Sequence, residues 1–556
     1  MRKIKTGVAF LLIYCTLIAA VPQSMAETPY TYEPEAWLLH RLGLYTGTSA
    51  EVFIPDLGAK LDRQIGVALL LNFFGKRVEV LNMSSTEADN VLARYSDSRL
   101  ISPWARRYMA YAVKNGIVKG TSASTLGPLD PLDGTAFATM ILRRLGYGME
   151  GKSYLTSLKT LSEKGGLNAP EVSSFNKQQM LKNDAVGMIY TALYASCSTG
   201  EILIENMVRS GAVSADKAFS QKLVRYNNPN SIEAVSAGTP AIPRPTAYDR
   251  VYYMILDALY SQEDCVYLPI TAYTDTAGEV FEIVEKCVWD NPEILYYAGC
   301  TYSSSGKLTF QYNRSKDISK NHSELLLRKL DSILDQIIQP DMSDYEKELA
   351  IHDYIINNCD YDLAGYEAGE IPTESFNAYG ALCLETAVCE GYAEAAKLLL
   401  DRTGVDCYIV TGSSRNVGHA WNIVKVNGEY YQLDVTWDDP VMQDGSRALN
   451  YHYFNLTDDE MKIDHEWDNK KYPVCSGTEL NYYTYNNLTV PGHKEFVDFV
   501  VDRVGRGTHN ITVKVENYKS IGFDCSKAAR EACGRLYLGC NVSFNENQGI
   551  VDMRFN

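Results

Sequence analysis

A hairpin between Gly418 and Trp437 constrains this chain more than any other stretch. Asn427-Gly428 is a two-residue turn signal between two runs rich in β-branched and aromatic residues. A two-residue turn pairs Val426 with Glu429 and makes Trp421 face Asp434. His419 then faces Thr436 and lies diagonally from Asp434 on the same side of the sheet, within reach of long side chains. Upstream, the apolar spacing of Ala393, Ala396, Leu399 and Leu400 predicts a helix that starts at Cys389 and stops at Gly404. A helix start offers unpaired N–H groups and partial positive charge, which stabilise a thiolate. Cys389, His419 and Asp434 are therefore candidates for a nucleophile, its base and the group that orients the base.

Taken singly, a cysteine before a helix or a histidine in a strand is more often structural than functional. The strings AVCEGYA, GHAWNIV and YYQLDVTWDDP, in that order, resemble the bacterial transglutaminase-like superfamily, a papain-related fold. The resemblance extends from about Asp353 to Trp467 and includes AYGAL and the tail YFNLTDDEMKIDHEW. It implies that Cys389 is the nucleophile, His419 the base and Asp434 the orienting acid. Related folds add a side-chain donor for the oxyanion from the segment before the nucleophile. Tyr379 fills that place, with a core-packed tyrosine as the alternative. Attack on a carboxamide or peptide carbonyl gives a thioester acyl-enzyme. Water as acceptor makes a peptidase, which needs no second substrate site, and a lysine amine makes a cross-linking transglutaminase. Neither cofactor nor metal is expected. The competing class is a non-catalytic surface-binding module on the same fold.

The remainder of the chain is expected to carry this unit outside the cell. Residues 1–26 read as a signal peptide, with basic Arg2, Lys3 and Lys5 and an apolar run from Val8 to Ala20 that is short for a membrane span. Setting those bases aside takes the net charge from −17 to −20, which argues against nucleic acid or anionic membrane as partners. Of 13 cysteines one lies in the signal segment, and the spacing of the others defines no disulfide framework or CxxC zinc site.

Between residues 27 and 198 a unit of helix, Gly-marked turn and second helix recurs three times. Its landmarks are Gly43 to Gly75, Gly116 to Gly146 and Gly166 to Ala195. The repeats resemble S-layer homology modules, which hold exported proteins to Gram-positive cell-wall polymers. The family's Thr-Arg-Ala-Glu stretch is reduced to Asp62-Arg63-Gln64, Asp133-Gly134-Thr135 and Lys182-Asn183-Asp184, so Arg63 alone keeps the expected wall-binding base. A helical tail and Pro-rich linker (199–245), an α+β lobe (246–342), the catalytic core (343–473) and a β-rich appendage (474–556) follow. His352 and Asp353, on a helix opened by the Ser343–Glu346 capping box, are assigned to packing and hydrogen bonding. The expectation is a multidomain protein with all-α repeats and an α+β papain-like core. Its partners would be a protein or peptide substrate and cell-wall polymer.

Overall fold

The computed structural model describes residues 16–18, 31–47, 53–149, 151–221, 223–224, 234, 246–269, 271–339, 341–440 and 449–555. Apart from β1 (Thr16–Ile18), the segment expected as a signal peptide lies outside the described residues, as does nearly all of the expected linker. Among the described residues, 16–287 and 300–311 form one compact unit, and 288–299 and 312–555 form another.

The first unit is built on six helices: α1 (Glu33–Arg41), α2 (Arg63–Phe73), α3 (Arg106–Lys114), α4 (Gly134–Arg144), α5 (Ser157–Glu163) and α6 (Lys182–Ala192). The first helix of each repeat packs on the second helix of the repeat before it: α3 on α2, α5 on α4 and, closing the circle, α1 on α6. The second helices α2, α4 and α6 also touch one another. Just before them the backbone makes a ring of hydrogen bonds. Leu61 N–H donates to Met180 O (2.9 Å), Met180 N–H to Leu132 O (2.9 Å) and Leu132 N–H to Leu61 O (3.0 Å). Each copy thus buries its apolar face only against its neighbours.

The ring corrects the alignment of the third copy. Met180 is the counterpart of Leu61, so Lys182 at the first position of α6 matches Arg63 at the first position of α2. Sequence alone hid this base because Leu181 replaces the capping Asp62 and Asp133, and the third copy aligned one residue out of step. Lys182 is paired with Asp56 at 2.7 Å. Helix α7 (Ala247–Tyr260) packs on α1, with Arg250 paired to Glu33 at 2.5 Å across that contact.

The expected lobe at 246–342 is not one body. Strands β2 (Cys265–Tyr267), β3 (Tyr297–Ser303) and β4 (Lys307–Tyr312) belong largely to the first unit, with β4 between β3 and β2. The long helix α8 (Lys316–Ile337) belongs to the second, because it commits Leu326, Leu330 and Ile333 to the core around α10 and α11 described next. Its N-cap is Ser315.

In the second unit α9 (Asp344–Asn358), closed by the Ser343–Glu346 capping box, leads to α10 (Ala378–Cys383) and α11 (Cys389–Arg402). Helix α11 lies on an antiparallel sheet made of β5 (Asp406–Ser414), β6 (Val417–Val426), β7 (Glu429–Leu433), β8 (Phe454–Leu456) and β9 (His465–Trp467). The strand order is β8-β7-β6-β5-β9. Val426 pairs with Glu429, as the two-residue turn requires, and Asn427 and Gly428 both take positive φ (52° and 89°). The C-terminal region adds a sheet of β10 (Thr489–Val490), β11 (Asn510–Val515), β12 (Cys540–Asn545) and β13 (Ile550–Phe555). Two helices cover it, α12 (His493–Gly505), which sequence reading passed over, and α13 (Cys525–Leu536).

Candidate active site

Cys389 is the first residue of α11. The N-cap, Val388, has extended backbone angles and no side-chain cap, and the first-turn N–H groups of a helix have no intrahelical acceptor. The helix start is clamped from behind: Val388 N–H donates to Ser375 O (2.8 Å), and Ala378 N–H to the buried Glu394 carboxylate (2.9 Å). Gly391 is required here, since a Cβ would lie 2.9 Å from Ser375 O and 2.8 Å from Ala387 Cβ. One residue on, the Tyr392 hydroxyl donates to Asp439 (2.6 Å) and to Cys359 O (3.1 Å). Ala393 sits against Ile409 and Ala420, and Asn422 donates to Ala393 O (3.0 Å), so α11 is seated on β6 beside His419.

His419 Nε2 and Asp434 Oδ2 lie 2.6 Å apart, both side chains being buried. Asp434 follows directly on β7. Its N–H donates to Tyr453 O (3.1 Å) and its Oδ1 accepts from Trp437 N–H (3.0 Å). Burial disfavours an imidazolium at 419, but the Asp434 charge, its hydrogen bond and a hydrogen bond with Cys389 raise the His419 pKa to about 10. For Asp434 the same contest ends well below the usual carboxylate range. Desolvation is outweighed by His419 and then by a second imidazole.

That second imidazole, His465, escaped the sequence reading. It is fully buried on β9, with Nε2 3.1 Å from Asp434 Oδ2 and Nδ1 2.7 Å from Asp464. Burial would lower its pKa, yet the two carboxylates raise it. The signal was present in the Ile463-Asp-His-Glu-Trp467 string, but only the pairing of His465 with Ser414 across β9 and β5 brings it to Asp434. His352 grips the same loop from another side. Its Nε2 is 3.2 Å from Asp438 Oδ2, and Asp438 Oδ1 accepts from Tyr453 N–H (2.9 Å). Against the cost of burial, Asp353 and Asp438 raise the His352 pKa to about 9.

Cys389 and His419 open into a cavity of about 490 Å³ walled by Tyr361, Tyr366, Phe376 and Trp437. Tyr379 does not line it. The ring is buried on α10 and stacked on His322 at 4.1 Å and 7°, the core-packed alternative, so its position offers no support for an oxyanion role. Arg63 lies in the first unit, its guanidinium donating to Lys119 O (2.7 Å). Among the described residues, His419, Asp434 and His465 are the group that could hold a metal ion. Both Nε2 atoms point at the same carboxylate oxygen, so each carries a hydrogen there and the set is a poor fit to an ion.

Residues 331–435 match the family description "Transglutaminase-like superfamily". The core is transglutaminase-like. Residues 94–138, spanning α3 and the first part of α4, match the S-layer homology domain. The chain is similar to the kyphoscoliosis peptidases of Homo sapiens and Mus musculus. The human protein is 29% identical over 176 residues, 29% of this chain and 26% of that one. The mouse protein is 27% identical over 161 residues, 26% and 24% of the two chains. The surface-layer 125 kDa protein of Lysinibacillus sphaericus is 28% identical over 106 residues, 18% of this chain and 8% of its own. The chain thus spans about a quarter or less of the length of these relatives. A solved structure titled "Crystal structure of a TGase" aligns with 22% of this chain and 34% of its own, at 19% identity and a TM-score of 0.19. A multidomain chain results, with a helical N-terminal region, a transglutaminase-like core and a β-rich C-terminal region. No helix among the described residues is long and apolar enough to cross a membrane.

Proposed function

We propose that the protein is a cell-surface thiol enzyme that cleaves peptide or carboxamide bonds through Cys389, His419 and Asp434. The observation that carries this reading is the His419 ring, which is held 2.6 Å from Asp434 and lines one cavity with Cys389. With Nε2 committed to Asp434, Nδ1 is the atom left for the sulfur. A cationic imidazole beside the sulfur and a helix start behind it are the surroundings of nucleophilic cysteines. The thiolate adds to the carbonyl carbon, and the first-turn N–H groups of α11 offer donors for the oxyanion. His419 gives its proton to the leaving amine as the thioester forms. It then takes one from water, whose oxygen displaces the sulfur and releases the acid. With a lysine amine in place of water the same steps cross-link proteins. The peptidase relatives favour water.

Alkylation of the full chain by iodoacetamide at about pH 6 tests this, since ordinary thiols titrate near 8.5. Burial pushes Cys197, Cys383, Cys407, Cys475, Cys525 and Cys540 upward. Peptide mapping should therefore find the label on Cys389 first. His419→Ala should slow that labelling by about 100-fold or more. Equal labelling of several cysteines, or indifference to His419, would remove the enzyme reading in favour of a binding module.

The helical region is assigned to holding the enzyme at the wall. The S-layer homology match and the surface-layer relative support this. Tethering raises effective concentration at the wall without new contacts in the cleft. Wall polymers are anionic and the chain is acidic, so specific bases must compensate. Arg106 is spent on Asp89 (2.5 Å) and Lys182 on Asp56 (2.7 Å), whereas Arg63 has no carboxylate within ion-pair range among the described residues. The full chain should sediment with purified Gram-positive cell walls at low salt. Arg63→Ala should reduce the bound fraction several-fold, and no sedimentation at any salt would end the anchoring role.

A further inference from the structure

The cleft holds a carboxylate that the chemistry above leaves unused. Glu390 is the second residue of α11 and lines the same cavity as Cys389 and His419. The other ionic groups of the lining are engaged: Asp439 accepts from the Tyr392 hydroxyl at 2.6 Å, and the Arg415 guanidinium lies 4.5 Å from the centre of the Trp437 ring. One turn along α11, Glu394 is taken up by the Ala378 N–H. Glu390 has neither a hydrogen-bond nor an ion-pair partner among the described residues. Glu390 is half-buried at the cavity wall, and desolvation there pushes the carboxyl up to about 8.

An ionised Glu390 next in sequence to a thiolate and a developing oxyanion opposes both by like-charge repulsion, so without a counter-charge its carboxyl keeps its proton at neutral pH. The arrangement becomes favourable when a cation enters the cleft with the substrate. We propose that Glu390 is a specificity determinant that binds a protonated amine of the substrate peptide, as in a lysine or other diamino-acid side chain close to the carbonyl that Cys389 attacks. The walls formed by Tyr361, Tyr366 and Phe376 suit the methylene stem of such a side chain, whose ammonium reaches Glu390. An ammonium draws the carboxyl into its ionised form and pairs with it, whereas a neutral side chain of the same length leaves it protonated and without that ion pair, and the difference discriminates. The inference rests on the reading of the cleft as a peptide site, but its test is independent of turnover.

Calorimetric titration of the full-length Cys389→Ala variant provides that test, because binding is then read without chemistry. The probes are acetylated tripeptide amides in which lysine or norleucine occupies each position in turn. Lysine at one position should bind about tenfold or more tightly than norleucine. Adding Glu390→Gln should bring the two together, and Glu390→Asp should keep part of the difference. Lysine and norleucine peptides that bind alike, or a lysine preference that survives Glu390→Gln, would overturn the assignment. The cysteine chemistry would then stand or fall by the alkylation experiment alone.

Discussion

Cys389→Ala should abolish hydrolysis and thioester formation on any peptide that the native protein turns over, at unchanged thermal stability. The first half follows from the chemistry, since removing the sulfur leaves no atom to form the acyl-enzyme. A residual rate of about 10³-fold over water is all that binding and the helix N–H groups supply. The second half follows from position. Cys389 is half-buried at the wall of an open cavity, so trimming it to a methyl group leaves no sealed void, and Ala is a good helix former. Cys389→Ser keeps the shape but offers a far weaker nucleophile, and should fall by about 10³-fold or more. Ordinary turnover by Cys389→Ala, measured with the same substrate and protein concentration, would exclude the thiol mechanism.

Asp434→Asn should damage activity and stability together. The carboxylate serves two buried imidazoles through Oδ2 and the Trp437 N–H through Oδ1, so an amide in its place loses the charge and turns an NH2 donor toward N–H donors at one of the two positions. Breaking a buried charged set by removing one member costs about 3–5 kcal/mol. Activity should drop by about 10²–10⁴-fold, as the His419 ring loses the partner that fixes its orientation. The pH dependence has a definite sign. The folded pKa of His419 is raised from 6.5 to about 10, so its share of stability is complete below 6.5 and is lost as pH rises through 10. Asp434 is lowered from 3.8, so its share is present above that value and is lost only as pH falls through its folded value. Denaturation midpoints of native and variant proteins should therefore differ most between about pH 4 and 6.5 and converge toward pH 10. A variant as stable as the native protein at pH 6 would mean that the two imidazoles are not held by charge.

The parts of this site that local rules govern could be read in advance. The Asn427-Gly428 turn sets the β6–β7 register and with it the approach of His419 to Asp434. Gly404, with φ of 86°, follows the end of α11 where the sequence pattern stops. What could not be read depends on long-range pairing. His465 reaches Asp434 only because β9 adds to the far edge of the sheet beside β5, and nothing in a three-residue strand announces its partner. The two alternatives for Tyr379 could not be separated for a related reason: its distance along the chain from Cys389 says nothing about which side of α10 faces the cavity. Ring stacking on His322 supports the core-packed one. Helix α8 lies within the expected lobe but belongs to the second unit, because its apolar stripe is matched to that unit's core.

The ring of Leu61, Met180 and Leu132 has a bearing on how such a chain can change over time. A linear array of repeats grows or shrinks by one copy at its ends and needs polar caps where the stacking stops. A closed circuit has no ends, so its copy number is not a free variable. A deletion of one repeat would expose two apolar faces at once, and an inserted fourth would have no neighbour to complete. Within that fixed count, however, any single copy can lose its motif and keep its place, because two intact neighbours still present it with the donors and acceptors of the ring. The out-of-step third copy, with leucine where its siblings cap with aspartate, shows how far one member can drift while the circuit stays shut.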